Sequence, residues 1–159
     1  ERFRGRLPPS DHRENATMRR LIVLFIAAIS ILALAASAAQ ARIEIRQGGS
    51  SWATIESDGT IRIRGSSVGK FESDGTVRKG GSSIGRVESN GTIRRGGSSI
   101  GTIEANGTIR KGGSSIGTIE SGGTIRKGGS SWGSASNCCG SHGSKRAVAA
   151  VLVFFSDFF

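Results

Sequence analysis

Tyrosine is absent from the 159-residue chain, and proline occurs only at Pro8 and Pro9. Everything downstream is free of the residue that spoils β ladders. Apolar residues are scarce in the middle of the chain. They concentrate in Leu21–Ala39 and Ala147–Phe159, leaving between them a thin, regular supply of Ile and Val. Such a supply suits a repeat array, in which each unit buries its apolar face against its neighbours. Histidine is nearly missing too: beyond Ala41 there is only His142. With so little acid–base chemistry on hand, the sequence argues against an enzyme, and no cofactor motif is present.

What is plentiful is glycine, at 25 residues, and basic charge, with 22 Lys and Arg against 12 Asp and Glu for a formal +10. Met18-Arg19-Arg20, the apolar run Leu21–Leu34 broken only by Ser30, and Ala39-Gln40-Ala41 form the three parts of a secretory signal peptide. Residues 18–41 are therefore expected to direct secretion or periplasmic export, with cleavage after Ala41. An uncleaved anchor is the alternative, since Leu21–Ala39 nearly spans a bilayer. Residues 1–17 then read as a leader translated ahead of a true start at Met18, in a bacterial gene.

A phrase of sixteen residues recurs through 42–133. Gly-Thr falls at Gly59, Gly75, Gly91, Gly107 and Gly123, and Glu, Arg and Ser-Ser keep step with it. Ser-Asp-Gly, Ser-Asn-Gly, Ala-Asn-Gly and Ser-Gly-Gly between β-branched residues predict one β-hairpin per unit. A three-residue loop with Gly91 in the left-handed region sets Val87 opposite Ile93, apolar against apolar. It also makes Glu88 and Arg94 diagonal neighbours on the other face. Three apolar series result: Ile55, Phe71, Val87, Ile103, Ile119; Ile61, Val77, Ile93, Ile109, Ile125; and Trp52, Val68, Ile84, Ile100, Ile116, Trp132.

A lone hairpin is marginal in water, so the units are expected to share one core. Ile43–Gly49 is the second half of a unit and Ser130–Gly133 a first half. Pairing of these halves would remove the edge strands. The expected fold is all-β: a closed ring of tandem 16-residue hairpins with a short apolar C-terminal segment. An open β-solenoid is the alternative. The phrase as carried by Ile84–Arg94, Ile100–Arg110 and Ile116–Arg126, behind an export signal, resembles the five-fold β-flower family of small exported bacterial proteins. That resemblance implies a compact ring of hairpins and no particular activity. Five complete units plus two halves depart from a five-fold count.

Three places could carry chemistry. Asp58, Asp74, Asn90 and Asn106 are read as turn residues, because calcium would need a recurring Asp-x-Asp pattern. Cys138, Cys139 and His142 are candidates for a disulfide, within or between chains, or for a soft metal, in a Gly/Ser/Cys linker over 134–146. Arg62, Arg78, Lys79, Arg94, Arg95, Arg110, Lys111, Arg126 and Lys127 could form a cationic band for an anionic envelope polymer such as lipopolysaccharide or an acidic glycan. Specific nucleic-acid recognition is not expected, since the charged face offers no stacking aromatics. The apolar segment 147–159 is expected as a short helix or strand sealing one end of the ring, with contact to a membrane surface or a protein as the alternative. Together these features predict a non-enzymatic structural or interaction module of the bacterial envelope.

Overall fold

The computed structural model describes residues 42–159; the expected leader and signal peptide lie outside the described residues. Twelve strands form one closed antiparallel barrel: β1 Ile43–Gln47, β2 Ser50–Ile55, β3 Thr60–Ile63, β4 Ser66–Phe71, β5 Thr76–Lys79, β6 Ser82–Val87, β7 Thr92–Arg95, β8 Ser98–Ile103, β9 Thr108–Lys111, β10 Ser114–Ile119, β11 Thr124–Lys127 and β12 Ser130–Ser136. The ring is closed, so the solenoid alternative is excluded. Closure comes from the two halves at the ends of the repeat region: β1 pairs with β12 from Glu44↔Ser136 to Gln47↔Gly133. The half units make a sixth hairpin, and the count is six rather than five.

Two kinds of connection alternate, and glycine chemistry explains both. At the loop end, the Gly91 N–H donates to the Glu88 carbonyl at 2.9 Å and the Glu88 N–H to the Thr92 carbonyl at 2.8 Å, with Gly91 at φ +90°. This is the three-residue loop expected from sequence, and it does set Val87 opposite Ile93. At the turn end, two residues such as Gly80 and Gly81 (φ +56° and +83°) reverse the chain in the primed turn that suits twisted strands. Arg64 takes the first of these positions once, at φ +49°.

Beside each two-residue turn the register slips at a β-bulge; Val77↔Gly85 is followed by Arg78↔Ser83, leaving Ile84 between. Bulges increase strand twist and so help a sheet of short strands curl shut. They also correct one expectation. The series Trp52, Val68, Ile84, Ile100, Ile116, Trp132 holds the bulge positions and is only partly buried, packed against the core rather than filling it. The fully covered strand residues are Ile45, Ile61, Val77, Val87, Ile93, Ile103, Ile109, Ile119 and Ile125.

The tail fills the barrel. Residues 134–146 are no continuous linker: β12 runs to Ser136, and helix α1 spans His142–Phe155. All seven residues Ala147–Val153 are buried, so two turns of α1 are covered on every side. At its start, His142 and Lys145 meet the Ile103 and Ala105 carbonyls at the loop end. Near its finish, Arg95 of the turn end donates to the Val153 carbonyl at 3.3 Å. The segment threads the ring instead of sealing one end.

Its conformation follows from closure. Val148, Val151 and Val153 have modest helix propensity and would suit a strand. A closed barrel has no free edge to pair with, however, and buried backbone groups must be bonded. Inside such a ring only a helix satisfies its own backbone. The Ser141 side chain caps its start, accepting from the Ser144 N–H at 3.2 Å.

Candidate functional site

The cationic residues divide into two sets according to the face of the strand they occupy. Side chains alternate along a strand, so in Ile93-Arg94-Arg95 the first and third face inward and the second faces out. On the outer wall, Arg78, Arg94, Arg110 and Arg126 each donate Nε to Glu72, Glu88, Glu104 and Glu120, at 3.0, 2.8, 2.6 and 2.8 Å. Arg62 pairs with Glu56 at 3.4 Å and Arg46 with Glu44 at 3.1 Å. Four of these guanidinium groups also donate to a turn carbonyl, as Arg94 does to Gly97 at 3.1 Å. The wall arginines are thus engaged inside their own hairpins.

The second set gathers at the turn end. The Arg95 guanidinium lies 5.1 Å from the Phe154 ring centre, Lys111 Nζ 5.0 Å from Phe159, and Lys127 Nζ 5.6 Å from Phe158. Such distances allow attraction between cation and ring face. Lys127 also donates to the Asp157 carbonyl. Lys79, at the equivalent position of its own unit, is exposed. Phe154, Phe155 and Phe159 are half-buried, while Phe158 is covered and packs on Trp132, itself against Trp52. Positive charge beside the C-terminus of α1 is favourable to the helix dipole.

The sequence reading placed both sets in one band and saw no aromatic near them. The missing signal lay in the glycines of the strands. A Cβ on Gly85, Gly101, Gly117 or Gly69 would lie 2.3–2.7 Å from the ring of Phe154, Phe159, Phe158 or Phe155 respectively. Each strand glycine is a seat for one phenylalanine of the tail.

Acidic groups collect at the opposite end. Asp58 and Asp74 sit in the loops, where the backbone N–H of Thr60 and of Thr76 donates to Oδ1 at 2.9 Å and the threonine hydroxyls to Oδ2. These bonds hold both carboxyls below the usual aspartate range. Asn90 and Asn106 accept the same backbone bond from Thr92 and Thr108, at 2.9 and 2.8 Å. The choice between Asp and Asn follows the residue twelve positions on: Asp58 and Asp74 precede Lys70 and Arg86, whereas Asn90 and Asn106 precede Thr102 and Thr118. Arg86 donates to the Asp74 carbonyl at 2.9 Å and lies 3.8 Å from its carboxylate. Its direct cross-strand partner is Arg94, and that of Lys70 is Arg78. The two aspartates therefore offset two like-charge pairs.

Asp74→Asn should keep the loop, since Asn90 does the same work. Its cost is expected as a lower melting temperature in dilute buffer, with the difference narrowing at about 0.5 M salt, where the attraction to Arg86 is screened but the lost Thr76 hydroxyl bond is not. The sign with pH follows from the lowered pKa. The stabilisation is present above the unfolded value, about 3.9, and is lost as pH falls through the lower folded one. A difference independent of both salt and pH would refute the role given to the charge.

Cys138 and Cys139 are bonded to each other in the short passage between β12 and α1. Neither sulfur is then a thiolate ligand, and the His142 ring bonds the Ile103 carbonyl at 3.1 Å. His142 begins α1 and is not part of a linker. No three His, Cys, Asp or Glu side chains converge on a cation site among the described residues. At the loop end a cavity of about 430 Å³ opens between Phe71, Ile55 and Ala147, with Glu56, Asp58 and Glu72 at its lip. Compared with protein-family models, curated proteins and solved structures, the chain matches none.

Proposed function

We propose that the protein is an exported, non-enzymatic interaction module of the bacterial cell envelope that works through its turn end. The observation carrying this reading is the placing of Arg95, Lys111 and Lys127 over the rings of Phe154, Phe159 and Phe158, with the exposed Lys79 at the equivalent position of its unit and the half-buried Phe155 beside them. The export signal read at Met18–Ala41 and the likeness of the repeat phrase to the β-flower family support the same setting. A barrel filled by its own helix is a rigid scaffold, and rigid scaffolds lose little freedom when they bind.

The partner this face fits is anionic, as in the anionic-polymer reading of the basic residues. The residues that meet it differ from the full band: the outward arginines are tied to glutamates, and the turn-end set faces the opening. Binding of the purified protein to lipopolysaccharide and to an acidic glycan, measured across a salt series, tests the proposal. Affinity should fall steeply with salt. It should fall further in Lys79→Ser/Lys111→Ser, while Arg94→Ser in the wall leaves it nearly unchanged. Equal losses in both variants would return the site to the whole band, and no binding at low salt would remove the proposal.

A further inference from the structure

We infer that the turn end docks on the phosphate headgroups of an anionic bilayer, with Phe154, Phe155 and Phe159 entering the interfacial layer. This rests on the turn end being the working face and names its partner. The first support is charge. Glu56, Asp58, Glu72, Asp74, Glu88, Glu104 and Glu120 lie in the loops or beside them, where Arg42, Lys70, Arg86, Lys145 and Arg146 also lie, and the five glutamates are paired with wall arginines. The six two-residue turns and the strand positions flanking them carry no acid and hold Arg64, Lys79, Arg95, Lys111 and Lys127. Asp157, whose carbonyl is bonded by Lys127, is the acid of the tail that follows α1. Residues 42–159 carry 16 Lys and Arg against 9 Asp and Glu, a formal +7. A negatively charged plane therefore attracts the molecule, and the turn-end cations stand at the opening to meet it.

The second support is the mixture of groups at that end. A soluble polyanion needs only cations, and phenylalanine adds nothing to the recognition of sulfate or phosphate on a flexible chain. A bilayer offers both partners at once: phosphates at the depth of the lysine heads and acyl boundary for the rings. The rim is also built for close approach, since the Gly-Gly and Ser-Ser residues around it are small and exposed. No described helix is long and apolar enough to cross a membrane.

The two tryptophans of the chain report on the contact. Trp132 packs edge-on to Phe158 at 5.6 Å between ring centres, and Trp52 packs on Trp132 at 5.5 Å. The full chain is mixed with vesicles of equal parts phosphatidylglycerol and phosphatidylcholine, with phosphatidylcholine alone, and with dextran sulfate. Co-sedimentation reads binding, and quenching of tryptophan by brominated acyl chains reads approach to the bilayer. The expected result is binding to the phosphatidylglycerol vesicles with tryptophan quenching, and little to phosphatidylcholine alone. Each juxtamembrane basic residue contributes about fivefold to such partitioning, so Lys79→Ser/Lys111→Ser should weaken it about thirtyfold. Lys79→Arg/Lys111→Arg should retain it, which separates lost charge from lost fold. Binding to dextran sulfate without binding to vesicles would overturn this inference and leave the turn-end module standing. Binding to neither would overturn both, and vesicle binding unchanged in the Ser variant would place the contact elsewhere.

Discussion

Truncation after Gly140 should leave a chain with no cooperative thermal transition. The strands that remain include every isoleucine and valine of the barrel wall, so a self-sufficient ring would lose little. This ring is not self-sufficient, because its inward apolar faces share one core with α1, whose residues are buried along with them. Val148, Val151, Leu152 and Phe158 are all buried against the wall. Deleting a buried side chain of this size costs about 2–5 kcal/mol. Four such losses rival the whole stability of a domain, about 5–15 kcal/mol. A milder variant gives the same answer without abolishing the fold: Leu152→Ala should cost about 2–5 kcal/mol in urea unfolding. A truncated chain that still melts cooperatively, or a Leu152→Ala cost below about 1 kcal/mol, would show that the wall does not depend on its plug.

The second large effect is expected at a strand glycine. Glycine is a poor strand residue, so Gly101→Ala would ordinarily be neutral or stabilising, by about 0.5–1 kcal/mol. Here a Cβ at 101 would lie 2.5 Å from the Phe159 ring and 2.3 Å from the Arg110 carbonyl. Both distances are below contact, and relieving them means moving a ring held by Lys111 or a strand of the ladder. Gly101→Ala should therefore destabilise by about 3 kcal/mol, at the upper end for overpacking. The natural control is in the same barrel: the unit of β2 has Ala53 at the matching position, buried to 2 % exposure. The carbonyl contact alone is thus tolerable, and the phenylalanine ring makes the difference. Chemical unfolding of Gly101→Ala measures it. A gain in stability would mean that Phe159 does not sit on that strand.

How much of this was legible beforehand depended on whether a feature was local or relational. The hairpins were legible because Asn-Gly loops, β-branched flanks and a sixteen-residue period all act within one unit. Closure was legible because the two half units sit at opposite ends of the repeat region. The position of α1 was not. Ala147–Phe155 is apolar throughout, without a period that would distinguish helix from strand or inside from outside. What decides it is a property of the finished ring, namely a lumen with no free edge. The basic residues were misplaced for a related reason. Grouping Arg94 and Arg95 in one band left out the alternation that sends the first to the wall and the second toward α1. The adjacent cysteines also left open the choice between a bond to each other and bonds to other chains. That choice depended on how β12 hands over to the helix, which the repeat does not encode.

The molecule rests on one arrangement, a helix surrounded by a closed ring whose turn end holds the tail's aromatic rings. Solution NMR on the methyl groups of Ile, Leu and Val tests it most directly. The account predicts that Val148, Val151 and Leu152 show through-space contacts to isoleucines from strands all around the barrel, Ile45, Ile93 and Ile125 among them. Protected amides in both β1 and β12 should accompany these contacts. Helix methyls that contact strands on one side only, or that a paramagnetic solvent probe broadens, would contradict it and leave the helix lying on the ring and not within it.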